Sequence, residues 1–264
     1  MSNLDYELEQ ERRTLGTPAR IAIGCALLVG VPLVLLFAYG VYIAAFQAPE
    51  DRFADMLKDK PRLAKLVEPI KRSYPTEYKR LVKKIDDANA MQLSEDELLP
   101  FIADFMTGLW SRHRDAMAQA GNPEVLALMK AQGRLAEVAT RNPTICRIQF
   151  ADIDFRRWNL AKDRQAKEAI YGVTMAVANA AAAGREHPTE RILPSQSDQM
   201  ALGRAMQARG LTNPQLAKLR QNPPVESDLE ENCRTLNLVM DSVLSLPEAQ
   251  IQRFGTQQMR QGGS

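Results

Sequence analysis

Ile21 to Phe46 reads IAIGCALLVGVPLVLLFAYGVYIAAF, 26 residues without a charge. As an α-helix it is about 39 Å long, more than the roughly 30 Å of bilayer hydrocarbon. A core helix of this length in a water-soluble protein carries polar residues on its outward face. A cleaved signal peptide has an apolar region of only about 7–15 residues and a small-x-small cleavage site, which the stretch AAFQAPE after Ile43 does not supply cleanly. The segment is therefore expected to be an uncleaved signal anchor, one transmembrane helix at 21–46 behind a short tail at 1–20. Pro32, with Gly30 close by, is expected to bend it. The spacings Ala26/Gly30 and Gly40/Ala44 would allow a close helix–helix contact in the membrane, one route to a homo-oligomer.

The flanks disagree on direction. Arg12, Arg13 and Arg20 precede the span, whereas Arg52, Lys58, Lys60, Arg62 and Lys65 follow it. A plain count of positive charge puts the C-terminal side in the cytoplasm. Long domains cross largely regardless of charge, however, and the residues nearest the span are Arg20 on one side and Glu50-Asp51 on the other. The expectation is an N-terminus inside and an exported domain.

Beyond the span the chain reads as all-α, a multi-helix soluble domain. Ala, Leu, Met, Gln, Arg, Lys and Glu, the stronger helix formers, are abundant, while aromatics make up 6% of the chain. No sustained apolar/polar alternation and no Asn-Gly or Asp-Gly hairpin turn occurs. Residues 47–90 are expected to form basic membrane-proximal helices, and 91–264 a helical soluble domain with an internal boundary near 185–197, where two X-Pro steps make the longest loop. Pro49 and Pro61 can open short helices at 50–58 and 61–72. Ser94-Glu95-Asp96-Glu97 and Ser227-Asp228-Leu229-Glu230 both read as capping boxes, and Pro100 threatens the first turn of the helix that the former begins. Asn122-Pro123 and Asn142-Pro143 read as helix starts, and Gly184 as the end of a helix running from 159 to 183. The stripes Tyr78, Leu81, Val82, Ile85 and Ile102, Phe105, Met106, Leu109 are expected in the core, as is Leu229, Cys233, Leu236, Met240, Val243.

Of three cysteines, Cys25 lies in the span, which leaves Cys146 and Cys233 as the one soluble pair. In an oxidising compartment they would form a disulfide; otherwise they are two buried thiols.

Charge is informative locally rather than globally. A net +2 is too small to point to a nucleic-acid partner. Yet from Arg52 to Lys84 there are 11 Lys/Arg against four acids. Lys79, Arg80, Lys83 and Lys84 form a candidate basic contact face, against anionic lipid headgroups at about 1 kcal/mol per basic residue or against an acidic partner. Phe155, Arg156, Arg157 and Trp158 form a candidate interface, aromatic and Arg-rich, unless the rings are simply core.

No motif carries catalytic or cofactor chemistry. His113 and His187 are the only histidines and neither has a ligand at short spacing, so no metal site is expected. His113 should border the core and His187 should be a solvated turn residue. No G-x-S-x-G, P-loop or dinucleotide-binding glycine pattern occurs. The expectation is a non-enzymatic protein of the bacterial inner membrane whose periplasmic domain binds another envelope protein or itself. The alternatives are a cytoplasm-facing protein gripping lipid or nucleic acid through the basic face, and an envelope enzyme whose site is assembled from dispersed residues.

Overall fold

The computed structural model describes residues 48–150, 163–219 and 228–261. The chain clusters into two compact units, Met1–Arg52 and Phe53–Ser264, and the second is the helical domain. The expected membrane helix at 21–46 lies outside the described residues, and among those described no helix is long and apolar enough to cross a membrane.

Every element among the described residues is helical: α1 Pro49–Lys58, α2 Pro61–Ser73, α3 Pro75–Asp87, a short 3-10 turn, α4 Glu95–Met117, α5 Asn122–Ala139, α6 Pro143–Phe150, α7 Arg164–Glu186, α8 Gln196–Ala208, α9 Asn213–Leu219, α10 Leu229–Leu244 and α11 Glu248–Gln261. The starts of α2 and α3 follow from proline. A proline pushes the residue before it out of the helical region, and Lys60 (φ −129°) and Tyr74 (φ −134°) both sit there. Tyr74 thereby ends α2, its N–H donating to the Ile70 carbonyl, and starts α3 in one residue.

Ser94 caps α4 as expected, accepting from the Glu97 N–H while the Glu97 carboxylate accepts from the Ser94 N–H at 2.9 Å. Pro100 does not break this helix, which runs 23 residues and departs from helical geometry only at His113 (φ −121°, ψ 23°). Asn142 starts α6, its side-chain oxygen accepting from the Thr144 and Ile145 N–H groups. At 228 the expected capping box is replaced. Asp228 is the N-cap without a side-chain cap bond, and its carboxylate lies 3.6 Å from Lys218 Nζ on α9. A further capping box stands at Ser195, with Asp198 rather than Glu as its third residue.

The centre of the fold is α7, packed against α2, α4 and α5. Its buried side is built of Ala166, Ala169, Ala176, Ala178, Ala180 and Ala181 with Ile170 and Val177. Such small side chains let neighbouring backbones approach closely. Gly184 is the extreme case and corrects the expectation that it ends the helix. The helix continues to Glu186, and a Cβ at 184 would stand 1.8 Å from the Ala116 carbonyl oxygen of α4. The glycine is there for a crossing, not a cap.

Tyr78, Leu81, Val82 and Ile85 of α3 and Ile102, Phe105, Met106 and Leu109 of α4 are all buried in this core, as are Phe53 and Leu57 of α1. The helices of 53–90 thus share one core with the rest of the domain. The extended stretch after α7 crosses back over the same body. Its Thr189 N–H donates to the Gln119 carbonyl, and Arg191 Nε donates to the Ala120 carbonyl at 2.8 Å. Compact units are not divided at 185–197.

Around α5 lies a second layer. There α10 and α11 pack on α5, with Met129, Ala136, Met240, Val243 and Ile251 buried between them. Asp198 fastens α8 to it, taking two hydrogen bonds from Arg253 of α11 at 2.8 and 2.7 Å. Hydrogen bonds from Arg253 and from the Ser195 N–H hold this buried carboxyl far below the usual range.

Candidate functional site

Of the four basic residues singled out on α3, three are ion-paired. Lys79 is exposed. Arg80 pairs with Glu77 and Lys83 with Asp87, each at 2.8 Å, and Lys84 pairs with Asp104 of α4. What the structure builds there is a mixed-charge site organised from below by Glu77.

Glu77 is an acid in the first turn of α3, buried to 5% exposure. A buried carboxylate is tolerated only when paired and hydrogen-bonded. It is satisfied from three sides. Oε1 accepts from Arg80 Nη1 at 2.8 Å and Arg112 Nε at 3.3 Å, and lies 3.3 Å from His113 Nε2. Oε2 accepts from Arg112 Nη2 at 2.8 Å. Consecutive residues of a regular helix point about 100° apart. The break in α4 falls at His113, where Arg112 and His113 converge on one carboxylate. Burial pushes the Glu77 carboxyl up, but hydrogen bonds from Arg112 and His113 and the charges of Arg112 and Arg80 outweigh it and leave it below the ordinary range.

This seam continues to the end of α7. The His113 ring lies 4.4 Å from the Tyr74 ring, and the Arg185 guanidinium stands 4.6 Å over the Tyr74 ring. Next to it Glu186 accepts from Arg72 at 2.8 and 3.1 Å and from the Ser73 hydroxyl. Tyr74 donates its hydroxyl to the Ala181 carbonyl. His187 is exposed and caps α7 with its N–H.

Outward of Glu77 a groove of about 410 Å³ opens between α3 and α4, lined by Arg80, Lys84, Asp104, Thr107, Gly108 and Arg112 over Phe105. A shallower depression of about 450 Å³ shares Arg80 and Lys84 and extends it to Lys83. The Arg112 guanidinium lies 5.5 Å over the Phe105 ring. Among the described residues no group of three His, Cys, Asp or Glu could hold a metal ion.

Of the other residues picked from the sequence, Cys146 of α6 and Cys233 of α10 are brought together with their sulfurs 2.00 Å apart, at bonding distance. Phe155, Arg156, Arg157 and Trp158 lie outside the described residues. Glu77, Asp104 and Arg112 were missed. Each is an ordinary charged residue on an amphipathic helix, and only the contact between α3 and α4 gives them meaning. No family model, curated protein or solved structure matches this chain.

Proposed function

We propose that this is a membrane-anchored, non-enzymatic helical protein of the bacterial cell envelope, held by the segment 21–46. Its domain lies in the periplasm and binds another envelope protein or a second copy of itself. The observation that carries the proposal is the Cys146–Cys233 pair. Two cysteines separated by 87 residues meet with Cα atoms 5.8 Å apart, on helices that the fold packs against each other. Disulfides persist in oxidising compartments and are rare in the cytoplasm. An exported domain uses such a pair as a staple.

One further feature supports a binding role. Arg191 turns inward to the Ala120 carbonyl and Asn122, which leaves Ile192 and Leu193 exposed at 76% and 42%. Apolar side chains on a pinned segment are material for a protein contact.

The test is a fusion after Ser264 of two reporters in turn, one active only outside the cytoplasm and one only inside. The proposal expects activity of the first alone. Signal from the cytoplasm-only reporter would refute the periplasmic placement.

A further inference from the structure

We infer that Arg80 and Arg112, held by Glu77, are the docking point for a carboxylate-rich segment of a protein partner. This rests on the reading that the domain binds a protein, and it names the chemistry of what is bound.

The arrangement is one-sided. The side chain of Glu77 is 7% exposed, whereas those of Arg80 and Arg112 are 60% and 41% exposed. In an ordinary surface pair both partners are loose, and holding them together costs side-chain entropy that the attraction barely offsets. Here the anion is inside and the cations outside, on two different helices, so folding itself orders both guanidinium groups. Ordering that folding has already accomplished is not charged again on binding.

Capacity remains for a ligand. A guanidinium has five donors. Arg80 uses one on Glu77 and Arg112 two. Among the described residues the others, Arg112 Nη1 included, have no protein acceptor. Gly108 makes room for that nitrogen, since a Cβ there would stand 2.9 Å from it.

The charge balance favours a carboxylate. Arg80, Lys84 and Arg112 face Glu77 and Asp104, so one positive charge is left for a ligand. A carboxylate cancels it; a doubly charged phosphate would add uncompensated repulsion beside Asp104. Asp104 on Lys84 already shows a carboxylate seated in the groove. Because the depression at Lys83 continues from the same Arg80 and Lys84, the run is longer than one acid needs. The Lys83–Asp87 pair, 75% and 60% exposed, is the loose kind that exchanges partners. Counting exposed Lys79 of α3 as well, Lys79, Arg80, Lys83, Lys84 and Arg112 stand against Glu77, Asp87 and Asp104, so two Asp or Glu side chains spaced along one segment match this row.

The experiment titrates the full-length protein in a neutral detergent with a fluorescein-labelled oligoglutamate peptide, read by anisotropy. Binding should saturate, and should weaken as salt rises from about 20 to about 150 mM. Arg112→Gln and Arg80→Gln should each weaken it by about ten-fold, as loss of a charge-assisted contact does. Lys130→Gln, an exposed charge on α5, should not. Arg112→Gln strips Glu77 of its principal partner and risks misfolding; Arg80→Gln, with its exposed side chain, keeps the test decisive. No peptide binding, or equal losses in the Arg80 and Lys130 variants, would overturn the proposal. So would binding of anionic phospholipid vesicles or of an oligonucleotide in preference to the peptide. The measurement uses purified protein, so its failure is distinct from a cytoplasmic reporter result.

Discussion

Loss of the Cys146–Cys233 bridge should lower the melting temperature of the full-length protein by about 10–20 °C, followed by loss of helical circular dichroism. The cysteines are 87 residues apart. In the chain-entropy description a crosslink closing a loop of this size restricts the unfolded chain by about 4–5 kcal/mol. For a domain of this size each kcal/mol moves the midpoint by about 2–4 °C. The packing around the bridge gives little to replace it, because α6 is a short helix resting on α5 and α10. Cys146→Ala with Cys233→Ala also removes buried volume, so the fully reduced wild type is the companion measurement, keeping both sulfurs in place. If both samples melt within about 3 °C of the oxidised protein, the bridge is not a staple.

Gly184→Ala should destabilise the fold, while the same change at Gly172, about three turns earlier in α7, should not. Alanine is preferred over glycine inside a helix by about 1 kcal/mol. At Gly172 nothing lies within 4 Å of the added carbon, so that preference should appear as a small stabilisation. At Gly184 the added carbon meets the Ala116 carbonyl oxygen at 1.8 Å, its carbon at 2.6 Å and the Ala120 nitrogen at 3.1 Å. All three are backbone atoms and cannot rotate away. Overpacking costs about 1–3 kcal/mol and sometimes more, and this contact involves the main chains of α4 and α7. The net expectation is a loss of about 2 kcal/mol or more, a fall of about 4–8 °C. Equal and favourable shifts at both glycines would mean that α4 and α7 do not cross so closely.

Gly184 also shows where sequence reading stops. Local signals were legible. Prolines at the starts of α2 and α3, the Ser94 capping box and Asn142 before Pro143 act within a turn or two, and each does what its chemistry dictates. The apolar stripes of α3, α4 and α10 likewise face inward, because periodicity already encodes one side. A glycine at the end of an alanine run is different. The same residue serves as a cap or as a crossing point, and the choice depends on α4, which is remote in sequence. The box at Ser195 escaped because Asp198 replaces the usual Glu, and its meaning comes from Arg253 of α11.

The candidate site was legible only in its outer half. Lys79, Arg80, Lys83 and Lys84 stand out as a cationic run, but of their counter-charges only Glu77 and Asp87 are on α3, and Asp104 comes from another helix. Asp104 and Arg112 belong to α4, and the bend at His113, next to Arg112, has no proline or glycine beside it to announce it. Glu77 reads as one more helix acid until the packing of α3 on α4 shows that it is buried. Pairings within α3 and from α4 together make this basic run a network.

The central claim, an exported domain closed by one bridge, is tested most directly by the thiols in intact cells. Cells making the Cys25→Ala form are denatured in a bulky maleimide that adds mass to each free thiol, with and without prior reduction. In this form only Cys146 and Cys233 remain. The account predicts no mass shift without reductant and addition at both cysteines with it. Addition at both without reductant would contradict it.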